Sequence, residues 1–266
     1  MDRAATPGFG AQLRSWRQRR GLSQLSLALA AEVSARHLSW LEADKSQPSR
    51  AMVLRLAERL EVPLRERNGL LMAAGFAPMY GERGLDDPAL APARNALQRL
   101  LDAHEPWPAL AVDRHWNLVA HNRMIPLLLQ QVRSPALLQP PCNVLRVSLH
   151  PEGLATMVEN LGGWREHVLA RLQRQISATG DARLLALHEE LRALPGPEPD
   201  GEPFDPVAQS LVLRSPLGRL AFITTLTVFG APHDVLLSEL AIETLLPADA
   251  ETAERLRQVH AARPQA

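Results

Sequence analysis

The chain has 266 residues, 46% hydrophobic and 22% charged, enough apolar content to build packed cores and too much for wholesale disorder. Its formal net charge is zero, and its single cysteine, Cys142, excludes an intrachain disulfide framework and a cysteine-rich zinc site. No apolar run approaches the roughly 20 residues that a membrane span needs, and "MDRAATPGFGAQLRSWRQRR" lacks the apolar centre of a signal peptide. A cytoplasmic location without a membrane partner is expected.

The length suits two cores better than one. Residues 1–76 carry 12 Lys/Arg against 7 Asp/Glu, a net of +5, while residues 77–266 carry 17 against 22, a net of −5. A basic head on an acidic body fits an anion-binding module joined to a domain with another task.

The head reads as five short helices. Phe9, Leu13 and Trp16 recur at i, i+4 and i+7 over a first helix from about Phe9 to Arg20, with Gly21 as its stop. Ser23 caps a second through Leu27 and Ala28, and Ser34 caps a third carrying Leu38 and Leu41. Ser49 opens a fourth with Met52, Val53, Leu56 and Leu60 as its stripe, and Gly75 ends a fifth. Residues 77–90, rich in Pro, Gly and Asp, read as a linker, leaving 91–266 as the second domain.

That domain reads as α+β with an antiparallel sheet. A helix "ARNALQRLLDAH" precedes two strands, Ala109 to Val112 and Trp116 to Ala120, joined by "DRH". Helical character resumes at "NRMIPLLLQQV", with Pro126 near its start, and two or three amphipathic helices fall between Leu154 and Leu194. "PGPEPDGEPFDP" is a loop, "QSLVLRSPLGRLAFITTLTVFG" is β-rich around "SPLG", and "HDVLLSELAIETLLP" fits either strand or helix. Short turns favour antiparallel pairing.

The third helix, in "SARHLSWLE", carries the clearest chemistry. With Leu38 and Leu41 facing the core, Arg36 and Trp40 fall at about 160° and 200° on the wheel, opposite that core and one turn apart. With Ser34 and Ala35 they form an edge able to enter the major groove of B-DNA, about 12 Å wide. Arg36 can donate twice to guanine O6 and N7, and Trp40 can meet a thymine methyl or lie along sugar while its indole N–H donates to phosphate. Gln24 and His37 are placed for backbone contacts and Lys45 adds charge. Arg36 also fits an ordinary solvated arginine, and Trp40 a contact under the fourth helix or in a dimer. Arg17 and Glu42 read as a structural ion pair between the first and third helices.

The signals "GLSQLSLA", the "VS" turn, "LE" with a short polar loop, and "PSRAMVLRLAERLEVP" together resemble the Xre/Cro-type helix-turn-helix domain of bacterial transcription regulators over about 65 residues. The resemblance puts the family's groove-facing positions on Ala35, Arg36 and Trp40, with Gln24 on the DNA backbone. Three departures stand out: Ala35 can make only apolar contact, Trp40 replaces a side chain that is usually polar, and "EADK" lacks the glycine often found in that loop.

Further on, "PWPALAVDRHWNLVAHNRM", "NVLRVSLHPEGLA", "NLGGWREHVLARL" and "FITTLTVFGAPHDVLLSELAIETLLPADAET" resemble the MmyB-like ligand-binding domain over nearly all of residues 85–260. The resemblance implies a PAS-like α+β fold and a small-molecule pocket, with a fatty-acid-like ligand in some members. From the residues, Trp116, Leu118, Leu127, Leu128, Phe222, Thr224 and Phe229 could line an apolar cavity with Asn122 and Thr225 as polar anchors, although for most of them plain core is the favoured reading. His115, His121 and His150 match no compact metal spacing, so no metal and no cofactor are expected, and Cys142 reads as inert. No G-x-S-x-G, H-E-x-x-H, Walker or G-x-G-x-x-G pattern is present.

The expected protein is thus a sequence-specific DNA-binding regulator, not an enzyme, with double-stranded DNA and a small apolar ligand as partners and a homodimeric state. Two alternatives stay open: an enzyme-like back domain acting on an acyl or apolar substrate, and an antitoxin-like module that buries against another protein.

Overall fold

The computed structural model describes residues 7–84, 87–197, 210–228 and 234–262. They form two compact units, the first comprising residues 7–83 with the short segments 177–179 and 234–238, the second most of the remainder.

The first unit is five helices: α1 (Phe9–Arg19), α2 (Gln24–Ala30), α3 (Ala35–Glu42), α4 (Arg50–Arg59) and α5 (Leu64–Ala73). The three serines act as caps, Ser23 accepting from the Ser26 N–H, Ser34 from His37 and Ser49 from Met52 at 3.0–3.2 Å. Leu13, Leu27, Leu38, Leu41, Leu56 and Leu70 meet in one core, each essentially inaccessible. Gly21 and Gly75 take the positive φ that ends α1 and α5.

Two local features fix where α3 lies against α1. Gly10 is buried where the helices approach so closely that a Cβ would stand 2.6 Å from the Leu41 carbonyl oxygen. Asp44, in the loop lacking the usual glycine, has φ +53, the left-handed region where a side chain is strained. Its carboxylate accepts from the Gly10 N–H at 2.8 Å, serving an otherwise orphaned amide at the start of α1, a contact glycine cannot make.

The expected linker begins as packed structure. Asn68, fully buried on α5, accepts from the Met79 and Tyr80 N–H groups and donates to the Tyr80 carbonyl and to Glu82, while Arg65 pairs with Glu82 at 3.0 Å. These contacts hold the chain to α5 through residue 82, and the division between units falls after Arg83.

The second unit contains α6 (Ala91–Ala103), β1 (Ala109–Val112), β2 (Leu118–His121), α7 (Ile125–Leu129), α8 (Val144–Leu149), α9 (Leu161–Thr179), α10 (Ala182–Ala193), β3 (Ser210–Ser215), β4 (Gly218–Val228), α11 (Val235–Glu239), β5 (Ala241–Pro247) and α12 (Ala250–Ala261). Part of α9 and most of α11 group with the first unit. The strands form one antiparallel sheet in the order β2-β1-β5-β4-β3, the α+β architecture that the resemblance implied. One face, through Leu110, Val112, Leu220, Phe222 and Leu245, packs with Trp164, Val168 and Leu172 of α9 and with Leu184 and Leu187 of α10.

Several expectations shift. Trp116 lies not in β2 but in the preceding turn, at φ +67, because Asp113 accepts from the N–H groups of His115 and Asn117 and from Asn117 Nδ2, closing an Asx-type turn. Pro126 sits in the first turn of α7, where its missing N–H costs nothing. The ambiguous "HDVLLSELAIETLLP" is both elements in succession, α11 then β5. Helices α8 and α12, not foreseen, have side-chain caps in Asn143 and Asp249. Most of the proline-rich loop lies outside the described residues.

Candidate functional site

Helix α3 buries Leu38 and Leu41 completely and turns the opposite side outward. Arg36 is exposed, Trp40 is 42% exposed, and the Arg36 guanidinium carbon lies 4.6 Å from the Trp40 ring centroid. The two are a stacked cation–π pair, which holds the arginine fork beside the ring at a cost lower than fixing a free side chain. Trp40 is therefore not packed under α4. Ser34 is exposed at the N-cap, Ala35 and His37 are half-buried, and Lys45 is exposed just beyond the helix, its N–H bonded to the Trp40 carbonyl at 2.9 Å.

Beneath this face Glu42, the last residue of α3, has a fully inaccessible side chain. Arg17 grips it with both nitrogens, Nε to Oε1 at 2.6 Å and Nη2 to Oε2 at 2.9 Å, and donates a third bond to the Leu22 carbonyl. Gln24, the first residue of α2, donates its Nε2 to Oε2 at 2.9 Å, and Arg14 stands at 3.5 Å. Burial pushes the Glu42 carboxyl up, but the bonds from Arg17 and Gln24 outweigh it and hold the group below the ordinary value. One carboxylate thus locks α1, α2 and α3 together. The reading that gave Gln24 to the DNA backbone left out this contact, which draws its amide nitrogen inward.

In the second unit a small cavity of about 80 Å³, partly open to solvent, lies against the inner sheet face. Leu110, Leu118, Ile125, Leu128, Leu145, Trp164, Leu211 and Leu245 are among its lining residues. Its polar edge consists of Ser148, Thr224, Arg171 and Glu243. Ser148 accepts from the Trp164 indole N–H at 2.8 Å. Arg171 donates from Nη1 to Glu243 Oε1 at 3.0 Å, and its guanidinium lies 4.2 Å from the Trp116 ring centroid. Its Nε and Nη2 are buried without a hydrogen-bond partner, and a buried donor left without an acceptor costs about 1–3 kcal/mol.

Three of the expected pocket residues, Leu118, Leu128 and Thr224, line this cavity. Others do not. Phe222 is fully buried core, and Leu127 packs against that core from outside the lining. Trp116 backs Arg171 and donates its indole N–H to Gln175. Asn122 cannot anchor a ligand: it accepts from the Ala109 and Met124 N–H groups and donates to the Leu101 and Trp107 carbonyls, all within the fold. Thr225 alternates to the other sheet face and is exposed. Phe229 lies outside the described residues. Burial pushes the thiol of Cys142, at the cavity wall, above its ordinary pKa, away from nucleophilic reactivity. His115 pairs with Asp181, His121 with the Asn122 carbonyl, and His150 accepts from the Glu152 N–H; among the described residues no group of three potential ligands could hold a metal ion.

Arg171 and Glu243 were missed by pattern reading, although a signal was present. Trp164, Val168, Arg171 and Leu172 share the spacing of a buried helix stripe, and Glu243 interrupts the apolar run "LAIETLLP". A charge inside an apolar stripe on each of two elements is the mark of a pair that meets inside.

Comparison with known proteins accords with this division. Residues 9–70 match the family model of a helix-turn-helix domain, and residues 93–259 match that of the MmyB-like transcription regulator ligand binding domain. No curated protein matches the chain. Among solved structures, an RNA-binding light-oxygen-voltage receptor aligns over 97% of this chain and 65% of its own length, at 14% identity and a TM-score of 0.28, too low a likeness to carry an argument. With an N-terminal helix-turn-helix and an α+β body whose model match covers more than half of its length, the chain belongs to the MmyB-like family of DNA-binding transcription regulators.

Proposed function

We propose that the protein is a sequence-specific regulator that inserts α3 into the major groove and adjusts its grip on DNA in response to a small apolar, acyl-chain-like molecule held in the C-terminal cavity. The observation that carries the reading is the outward-facing Arg36–Trp40 stack on the helix that follows the turn. Arg36 reads a guanine edge, Trp40 lies against sugar or a thymine methyl, and Ser34, Ala35, His37 and Lys45 flank them. The basic excess of residues 1–76 supplies the attraction to phosphate.

The regulator works in the cytoplasm as a homodimer, with two copies of α3 meeting half-sites about 34 Å apart. A ligand alters DNA affinity only by binding two dimer geometries unequally. The test is fluorescence anisotropy of the purified chain on duplex from its own upstream region, across a salt series. A steep salt dependence with preference over scrambled duplex is expected. Weak binding without sequence preference at any salt overturns the reading.

A further inference from the structure

Arg36 and Trp40 form one stacked unit, so where one goes on DNA decides what the other meets. The Arg36 guanidinium carbon lies over the Trp40 ring, 4.6 Å from its centroid, and both side chains are exposed on the side of α3 away from Leu38 and Leu41. A guanidinium that donates twice to guanine O6 and N7 lies in the plane of that base. The indole stacked on its face is then displaced along the DNA axis by about one base-pair step, roughly 3.4 Å, the rest of the separation being lateral offset. The ring stands level with the base pair next to the guanine. A place on sugar would draw the stacked fork to the groove wall with it, away from any base. The rim of the indole is carbon except at Nε1, so most of it returns nothing to a carbonyl or amine that it strips of water. The group on a major-groove edge that gains from apolar contact is the 5-methyl of a pyrimidine. Ala35, half-buried at the start of α3, adds no side-chain donor that would compete.

We propose that Trp40 reads the 5-methyl group of a pyrimidine in a base pair flanking the guanine held by Arg36, so that the protein prefers thymine to uracil there, and 5-methylcytosine to cytosine. The two methylated bases present the same group at the same place on the groove edge, so a contact that recognises one recognises the other. Cytosine methylation at that position therefore raises the affinity of the site. This inference rests on the reading that α3 enters the major groove, and specifies the chemistry that Trp40 recognises there.

In the test, the full chain first selects its preferred duplex from a random pool, and the guanine whose preference Arg36→Ala loses marks the place to alter. Fluorescence anisotropy then compares duplexes that differ by a single methyl group at each flanking pyrimidine in turn: thymine against deoxyuridine, and 5-methylcytosine against cytosine. At one of the flanking positions, loss of the methyl should weaken the wild type about fourfold in both pairs, the worth of one methyl-sized group taken from water. Trp40→Ala, with unchanged circular dichroism, should bind the two members of each pair equally. The wild-type comparison needs no substitution, so it stands even where a variant unfolds the head. Equal affinity for methylated and unmethylated duplexes at both flanking positions, or a methyl effect that survives in folded Trp40→Ala, overturns the methyl contact while leaving groove binding intact. Selection of no preferred duplex overturns the groove reading itself, and this inference with it.

Discussion

Replacing Gly10 by alanine separates packing from helix propensity, because the two predict opposite signs. On propensity alone alanine should stabilise α1 by up to about 1 kcal/mol over glycine. The new Cβ, however, would lie 2.6 Å from the Leu41 oxygen and 2.8 Å from the Glu42 carbonyl carbon and oxygen. These are backbone atoms and cannot rotate away. Ordinary contact begins at 3.4 Å, so the end of α3 must retreat by about 0.8 Å. Overpacking of this kind costs about 1–3 kcal/mol, leaving a net loss of up to about 2 kcal/mol once the propensity gain is subtracted. For a domain of this size each kcal/mol lost lowers the head's unfolding temperature by about 4–8 °C, measurable by scanning calorimetry of the full chain. Because the retreat carries Glu42 and Trp40 with it, DNA affinity should fall as well. A Gly10→Ala chain that melts at or above the wild type with unchanged DNA affinity refutes the close-approach argument.

Glu42→Ala strands the Arg17 guanidinium, and should cost about 3–5 kcal/mol in chemical denaturation, while an apolar replacement of both partners should recover much of that. Asp44→Ala removes the acceptor for the Gly10 N–H and keeps the positive φ, so a loss of about 1–2 kcal/mol is expected; Asp44→Gly, which relieves the backbone, should lose less, and equal losses would contradict this division. Arg36→Ala should flatten base preference in a mutated-operator panel, and Trp40→Ala should weaken all DNA binding with the fold intact; lost stability with unchanged affinity in the second would return Trp40 to a packing role. Glu105 is held at about 2, first by Arg123 and then by His260, against an ordinary value of 4.5. Its folded pKa is depressed, so its contribution, up to about 3 kcal/mol, is complete above pH 4.5 and lost as pH falls toward 2. Acid titration of Glu105→Gln should show a shallower stability loss across that window.

The five-helix head was legible because every signal there is local. The serine caps, the glycine stops and the i, i+4, i+7 leucines act within one helix or one turn, and the wheel that set Leu38 and Leu41 inward put Arg36 and Trp40 together outward. Where a residue's role depends on a distant partner, local reading mostly failed, the Arg17–Glu42 pair excepted. Gln24 read as a DNA-backbone contact with no account of Glu42, 18 residues away, to which it donates, and Asn122 looked like a cavity anchor until four main-chain groups surrounded it.

The cavity shows the same division. Period-2 alternation along β4 makes Thr224 and Thr225 opposite in orientation, but it cannot say which faces the helices; the pairing of β4 with β3 and β5 decides that. By itself the sequence determined the helices of the head, its basic charge, the outward Arg36–Trp40 edge and the α+β character of the body, since periodicity, caps and composition are properties of neighbouring residues. Only the tertiary structure decided that Glu42 locks three helices, that Gly10 sets the spacing of α1 and α3, that Asp44 stands in for glycine, and that Arg171 and Glu243 meet at an apolar cavity. Each of those joins residues remote in the chain, and their energies depend on distance and burial that exist only once the chain has closed on itself.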